Sequence, residues 1–225
     1  MCYIFNKIKK RGATVEKKKL ISMAVIKRLP KYHRYLNELM NNDVDRISSK
    51  ELSEKIGFTA SQIRQDLNCF GDFGQQGYGY NVKALYNEIS NILGLSREYR
   101  AVIIGAGNIG QAIANYNQFR KLGFTIEGIF DANPKLLGIQ IRDVAIQDID
   151  ELEDFLERNQ IDIGIICVPK VNAQKVADKL ISKGVKGIWN FAPIDLNTPD
   201  DVTVENVHLS ESLLTLVYLL NEKNN

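Results

Sequence analysis

Residues 101–110 read A-V-I-I-G-A-G-N-I-G (Ala101–Gly110), and this stretch decides the fold. Four apolar residues suited to a buried strand, Ala101–Ile104, run into glycines at G-x-G-x-x-G spacing, Gly105, Gly107 and Gly110, and then into a helix-compatible segment, Gln111–Lys121. Strand, tight turn and helix start in that order form the dinucleotide-binding fingerprint in the context it requires. Gly105 allows the sharp turn, Gly107 the close approach of a pyrophosphate to the backbone, and Gly110 the packing of helix on strand. The loop backbone, with Ala106, Asn108 and Ile109 between the glycines, and the helix N-terminus behind it then face the phosphates. A second apolar run, Ile126–Phe130, ends at Asp131, 21 residues beyond Gly110. A carboxylate there hydrogen-bonds a ribose 2′-hydroxyl and repels a 2′-phosphate, so NADH and NAD+ are expected in preference to NADPH and NADP+.

Downstream of Asp131, strand and helix patterns alternate. Asn133-Pro134 marks a turn, and an acidic helix is expected around Asp148–Arg158. The apolar run Asp162–Val168, a helix over Asn172–Ser182 and a strand over Gly187–Phe191 follow. Such alternation implies an α/β fold: a Rossmann-like, doubly wound, mostly parallel sheet with helices on both faces. Val168-Pro169 and Asn190-Phe191-Ala192-Pro193 fall at strand C-terminal ends, where open α/β sheets place their ligands. Val168, Pro169, Asn190, Ala192 and Pro193 are therefore candidate walls for the nicotinamide side; an ordinary strand-ending turn fits the same pattern. After a strand-like Val202–Val207, the segment Ser210–Asn221 is apolar nearly all round, through Leu213, Leu214, Leu216, Val217, Tyr218, Leu219 and Leu220. A helix of that kind must be buried on most sides, by its own domain or, more simply, by a partner subunit.

Charge separates the two halves of the chain. Residues 1–100 carry 18 Lys and Arg against 10 Asp and Glu, a net of +8, within a whole chain of net +2, so the second half is acidic. A basic half joined to an acidic one suits contact between the basic half and a polyanion. Three dispersed cysteines, Cys2, Cys69 and Cys167, supply neither a disulfide framework nor a metal site, and two histidines cannot build an imidazole metal centre. No apolar run approaches the ~18 residues of a membrane span, and Met1–Leu20 is too charged for a signal peptide. The expectation is a reducing, cytoplasmic setting with no membrane attachment.

The first half begins with seven Lys and Arg in Met1–Lys19, read as a mobile basic tail over residues 1–20. Tyr32, Tyr35, Leu36, Leu39 and Met40 recur at helical spacing after Pro30. A loop is expected over Asn41–Ile47. Ser48 with Glu51 forms a capping box for a helix ending at Gly57, and Thr59 caps the next, Ala60–Phe70. That second helix turns Ile63, Leu67 and Phe70 inward and Ser61, Gln62, Arg64, Gln65 and Asn68 outward, a set suited to base edges and phosphates. Two short helices joined by a Gly-containing turn read as a helix-turn-helix for double-stranded DNA. Gly71–Tyr80 (G-D-F-G-Q-Q-G-Y-G-Y) then supplies a glycine-rich hairpin of wing character, with Gln75, Gln76 and Tyr78 placed to follow a groove, although a plain tight hairpin has the same composition. Residues 21–95 are thus expected to form a winged helix, residues 96–208 the nucleotide domain, and residues 209–225 a C-terminal helix.

Several separate blocks, in order, resemble the Rex family of redox-sensing transcriptional repressors across Ile21–Leu220: Val25–Leu36, Gln62–Gly71, the glycine wing, Gly105–Tyr116, Val185–Pro193 and Val204–Val207. The resemblance implies a homodimer whose C-terminal helices swap between subunits, and which binds operator DNA when NAD+ prevails and releases it on NADH binding. It also implies DNA reading by Arg64 and its neighbours, a switch at Arg34 and Tyr116, with Tyr116 close to the cofactor, and dimer contacts through Leu213, Leu214, Leu216, Val217, Tyr218 and Leu220. The sequence departs from the family at Gln65 and Gln76, where a basic residue is frequent, and at His208, where an aspartate is common. A pairing of Arg34 with a carboxylate at that last position is thereby lost. The rival reading is an NAD-dependent dehydrogenase, but the second half offers His208 as its one imidazole and no acid–base pairing, so no catalytic residue is assigned.

Overall fold

Pro30 has no N–H to leave unpaired, so it fits the first turn of a helix. The computed structural model describes residues 2–10, 13–71, 73–75 and 78–224, and the chain divides into two units, 1–96 and 97–225. In the first unit, β1 (Cys2–Lys10) pairs antiparallel with β2 (Ala13–Ile21), from Cys2 opposite Ile21 to Lys10 opposite Ala13. A mobile tail was expected there. The lysines drew that expectation, whereas Tyr3-Ile4-Phe5 and Thr14-Val15 are strand formers.

A short α1 (Met23–Ile26) leads to α2 (Leu29–Asn41), which holds Pro30 in its first turn and buries Leu29, Tyr32, His33 and Leu36. The segment read as a loop contains β3 (Arg46–Ile47). Helix α3 (Ser49–Ile56) carries the full capping box: the Glu51 N–H donates to Ser48 Oγ at 3.1 Å and the Ser48 N–H to Glu51 Oε2 at 2.8 Å. Gly57, at φ +73°, ends it in the left-handed conformation that glycine adopts without a side-chain penalty. Thr59 caps α4 (Ala60–Asn68) through the Gln62 N–H at 3.1 Å. Two short strands, β4 (Gly74–Gln75) and β5 (Gly79–Asn81), join β3 in the order β3-β5-β4, and α5 (Val82–Ile92) follows. Gly79 must be glycine: a Cβ would stand 2.6 Å from the Ile47 carbonyl oxygen of the neighbouring strand. Four helices, α2 to α5, packed through Leu36, Leu52, Ile56, Ile63, Leu67 and Leu85, with this small sheet at their edge, make a winged helix.

The second unit opens with β6 (Tyr99–Ile104), α6 (Asn108–Ala114), α7 (Gln118–Lys121) and β7 (Phe124–Asp131). One continuous helix was expected over Gln111–Lys121. It breaks at Asn115–Asn117, where the Arg142 guanidinium engages the Asn115 carbonyl and the Asn117 side chain. The hairpin β8 (Gln140–Ile141) and β9 (Val144–Asp148), unforeseen in the sequence, supplies that arginine at φ +55°. Helix α8 (Leu152–Arg158), β10 (Ile163–Ile166), α9 (Lys170–Ser182), β11 (Gly187–Asn190), β12 (Thr203–Asn206) and α10 (Leu209–Asn224) complete the chain. Strand order is β12-β11-β10-β6-β7-β9-β8, parallel except for β8. The six parallel strands, in chain order, lie 3-2-1-4-5-6, the doubly wound order whose switch point falls between β6 and β10. Strand alternation splits the core: Val102 and Ile104 pack with Leu152, Ala177 and Leu180 on one face, and Ala101 and Ile103 with Ile113 and Ile146 on the other.

Candidate functional site

The three fingerprint glycines do different physical work. Gly105 sits at φ +99°, and a Cβ there would stand 2.6 Å from the Cys167 carbonyl oxygen, because β10 ends beside it. Gly110 packs α6 onto the loop: a Cβ would lie 1.9 Å from the Gly105 carbonyl oxygen and 3.3 Å from Ile103 Cγ2. Gly107 has an ordinary φ of −73°, and nothing lies within 4 Å of the place its Cβ would occupy. Folding requires the first and last glycines, and the middle one leaves open space beside the first turn of α6. No side chain caps that helix, so the N–H groups of its first turn remain for another acceptor.

That space opens onto a cleft of about 570 Å³ at the C-terminal edge of the sheet, beside the switch point. Gly105, Gly107, Ile109 and Asp131 line it, as do Val168, Pro169 and Pro193. The Asp131 carboxylate accepts the Ala106 N–H at 2.6 Å through Oδ2 and the Asn133 N–H at 2.7 Å through Oδ1. Each oxygen keeps a further lone pair for an incoming hydroxyl, so one side chain both tethers the glycine loop and addresses the cleft. Phe191, within the strand-end run Asn190–Pro193, lines it too; Ile149, Asp150, Cys167, Asn172, Lys175 and Lys179 also line it and were not singled out from the sequence. Burial pushes the Cys167 thiol up to about 12, which keeps it a neutral wall. Its position one residue before Val168, at a strand end, was the available signal.

Six of the candidate cofactor residues do not line the cleft. Ala106 is fully buried and spends its N–H on Asp131. Gly110 lies inside α6, buried against the loop, and Asn108 is exposed on that helix outside the cleft. Asn190, 0% exposed, staples the end of β11: Nδ2 donates to the Ile194 carbonyl at 2.7 Å and to Asn206 Oδ1 at 2.8 Å, and Oδ1 accepts the Ala192 N–H at 3.0 Å. Ala192 is buried under the same staple. Tyr116 also stands away from the cleft, half exposed beside a separate small depression, in edge contact with Phe119. From there Phe119, Trp189 and Phe191 form a chain of ring contacts at 5.6 and 4.7 Å that reaches the cleft wall. His208 Nε2 lies 3.6 Å from Asp195 Oδ1. Arg34 is exposed, with its guanidinium over the Tyr35 ring at 5.2 Å.

In the first unit, α4 exposes Ser61, Arg64, Gln65 and Asn68 and leaves Gln62 partly buried. Arg64 Nη1 donates to Ser49 Oγ at 2.9 Å, which links the helix to the start of α3. Tyr78 stands exposed at the wing, where Arg46 donates to its carbonyl at 3.3 Å and lies over its ring at 6.0 Å. For Gln75 only its place in β4 is described, and Gln76 lies outside the described residues. The sequence reading passed over Asp66, which faces inward at 1% exposure and accepts from Arg28 Nε at 2.6 Å, Arg28 Nη2 at 2.8 Å, the Tyr32 hydroxyl at 2.7 Å and Gln62 Nε2 at 3.0 Å. Burial alone would raise its pKa, but these donors outweigh it and hold the carboxyl below its ordinary value of 3.8. Burial lowers the pKa of His33, which stacks on Tyr86 at 4.5 Å. Ser90 Oγ donates its only proton to the Tyr86 carbonyl, so His33 Nε2, 3.1 Å from that oxygen, is the donor.

Both shifts make the first unit acid-sensitive. A folded-state pKa below the unfolded one means that the unfolded chain binds more protons, so stability rises with pH and is lost on acidification. Stability from His33 is present above its ordinary 6.5 and is lost as pH falls through the lower folded value; that from Asp66 goes below 3.8. Thermal melts between about pH 8 and pH 5 should show a falling midpoint for this unit, and His33→Leu should flatten the slope. An unchanged slope in that variant would place the titration elsewhere.

Helix α10 presents its apolar residues on every side: Leu209, Leu213, Leu214, Tyr218, Leu216, Leu219, Leu220 and Val217 are all 45–66% exposed. Single exposed leucines are ordinary, whereas a whole apolar helix exposed in this way is a surface for a partner. No helix among the described residues is long and apolar enough to cross a membrane.

A winged helix joined to a Rossmann-like domain with an addressable nucleotide cleft defines a class: two-domain regulators that couple a nucleotide site to a nucleic-acid-binding unit. Residues 96–194 match the family described as "CoA binding domain", and residues 20–68 the family described as "Putative DNA-binding protein N-terminus". The chain is 76% identical over 207 residues to the redox-sensing transcriptional repressor Rex of Clostridium perfringens (strain SM101 / Type A), covering 92% of this chain and 98% of that one. It is 72% identical to the Rex repressor of Clostridium tetani (strain Massachusetts / E88), over 93% of this chain and 99% of the relative. A crystal structure of RSP in complex with beta-NAD+ and operator DNA superposes with a TM-score of 0.85 at 65% identity, over 92% of this chain and 95% of that one. RSP in complex with beta-NADH gives 0.84 at 62% identity, over 92% and 97%. The chain belongs to the Rex family of redox-sensing transcriptional repressors, proteins that regulate transcription and are not enzymes.

Proposed function

We propose that this chain is a cytoplasmic, homodimeric repressor that holds double-stranded operator DNA when NAD+ prevails and releases it when NADH fills the cleft. The observation that carries the reading is the open space at Gly107 beside uncapped N–H groups, with Asp131 across the same cleft. Backbone N–H groups there take the pyrophosphate, and the second lone pairs of Asp131 take the adenosine ribose hydroxyls and oppose a 2′-phosphate. The far end is walled by Cys167, Val168, Pro169, Phe191 and Pro193. An oxidised nicotinamide ring is cationic and a reduced one neutral, so a wall with no carboxylate favours the reduced form. That difference in affinity is the lever by which the ligand shifts the DNA-competent population.

In the first unit, Ser61, Gln62, Arg64, Gln65 and Asn68 of α4 meet the major groove, and the wing with Tyr78 meets the backbone. Helix α10 packs against the partner subunit and sets the two-fold spacing of the half-sites. Arg34, Tyr116 and His208 belong to the switch, with His208 and Asp195 standing in for a simple arginine–carboxylate pair.

The test is gel retardation of an operator duplex with NADH or NADPH added. NADH should abolish the shift at concentrations where NADPH leaves it intact, and Asp131→Ala should weaken NADH by roughly 10- to 100-fold, the worth of a charged hydrogen bond, while narrowing the gap to NADPH. Equal potency of the two nucleotides in the parent protein would refute the role of Asp131.

A further inference from the structure

The buried carboxylate of Asp66 has no place in the nucleotide chemistry, yet it sits on the helix proposed to face DNA. We propose that Asp66 is a specificity-positioning residue: it fixes the Gln62 amide with nitrogen turned inward, so that Gln62 offers its carbonyl oxygen to DNA and selects adenine. The inference rests on the reading of α4 as the DNA-facing helix.

Asp66 and Gln62 are one helical turn apart, and Gln62 Nε2 donates to Asp66 Oδ1 at 3.0 Å. A free glutamine amide exchanges its oxygen and nitrogen by a half-turn of its last torsion, with almost no change of shape. Such a side chain would accept from or donate to any base edge. Here the exchange is blocked. The carboxylate is kept ionised by Arg28 and Tyr32 and can only accept, so an oxygen turned inward would meet a negative charge. Its other acceptor positions are filled by Arg28 Nε and Nη2 and by the Tyr32 hydroxyl, which also holds the carboxylate itself in place. Gln62 is left with Oε1 as an outward acceptor and one remaining N–H. In the major groove adenine offers an N6 donor beside an N7 acceptor, whereas guanine offers acceptors at both places. The locked amide matches adenine and opposes guanine.

The experiment is selection of bound duplexes from a random-sequence pool in the presence of NAD+, with the full-length parent, Gln62→Met and Asp66→Asn, followed by affinity measurement on single-base-pair changes. The parent should require adenine at one position of each half-site and lose at least about fivefold on substitution by guanine. Gln62→Met should lose preference at that position alone. Asp66→Asn should lose it at the same position while its affinity for NADH and for random-sequence duplex stays that of the parent. Asp66→Glu, which keeps the charge opposite Arg28 but displaces the carboxylate from Gln62 Nε2 by one methylene, should lose the preference likewise and carries the test if Asp66→Asn does not fold. Retention of the full adenine preference in the Asp66 variants, or a uniform weakening at every position, overturns the proposal. A parent protein that enriches no sequence at all overturns the reading of α4 instead.

Discussion

Gly107→Val removes nucleotide binding and leaves the fold standing. The backbone at Gly107 is at φ −73°, open to any L-residue, and no protein atom lies within 4 Å of the place its Cβ would occupy, so the fold leaves room for a side chain to start there. A side chain there does meet the nucleotide. An isopropyl group at the head of α6 occupies the place where a pyrophosphate must approach the loop amides, and two charge-assisted hydrogen bonds are worth about 3 kcal/mol or more together. NADH affinity should fall by roughly 100-fold or more, with an unchanged melting midpoint and with operator binding that no longer responds to NADH. Trp189, the single tryptophan, stands 4.7 Å from Phe191 of the cleft wall, so its fluorescence serves as the titration signal. Gly110→Ala is the control of opposite sign. Its Cβ collides with the Gly105 carbonyl oxygen at 1.9 Å, so it should cost about 3 kcal/mol of stability or more and be recognised by the melt before any ligand is added. If Gly107→Val bound NADH as the parent does, the phosphates would have to lie elsewhere.

The double substitution Leu216→Asp with Leu220→Asp should turn the protein into a soluble monomer with little operator affinity. Both side chains are about half exposed in the single chain, at 52% and 51%, so the charges do not disturb the fold of their own subunit. In a dimer built on α10 they would be buried. Full burial of a leucine is worth about 1.5–3 kcal/mol, so two lost leucines weaken the dimer by roughly 100-fold or more before the cost of desolvating two carboxylates is counted. Because a two-fold interface repeats each residue, the penalty is met twice per dimer. Two recognition helices then no longer reach both half-sites together, and affinity drops to that of one helix. Sedimentation and gel retardation measure the two effects separately. A variant that stays dimeric would move the interface away from α10.

What the sequence made legible was whatever local chemistry decides. The capping box at Ser48 and Glu51, the stop at Gly57, the cap at Thr59 and the packing of Gly110 on Gly105 all depend on residues within a few positions of one another. What it hid depends on distant partners. Asn190 at a strand end looks like a ligand group, and only the closeness of Ile194 and Asn206 shows that its amide is spent inside the fold. Asp66 passed as one more polar residue because Arg28, which neutralises it, lies 38 positions earlier. The break between α6 and α7 falls where Arg142 reaches in from a hairpin too short, and too lacking in glycine, to announce itself. At β1 and β2 the lysines masked strand-forming residues that were in plain view.

The central claim is that the cleft reports the share of nicotinamide in reduced form. Its most direct test is the fluorescence anisotropy of a labelled operator duplex with this protein, at fixed total NADH plus NAD+ and a varied proportion of NADH. DNA release should follow that proportion, and a tenfold change in the total at constant proportion should leave the half-release point where it was. Operator that stays bound when all the nucleotide is NADH, or release that follows the total and is matched by NAD+ alone, would contradict the account.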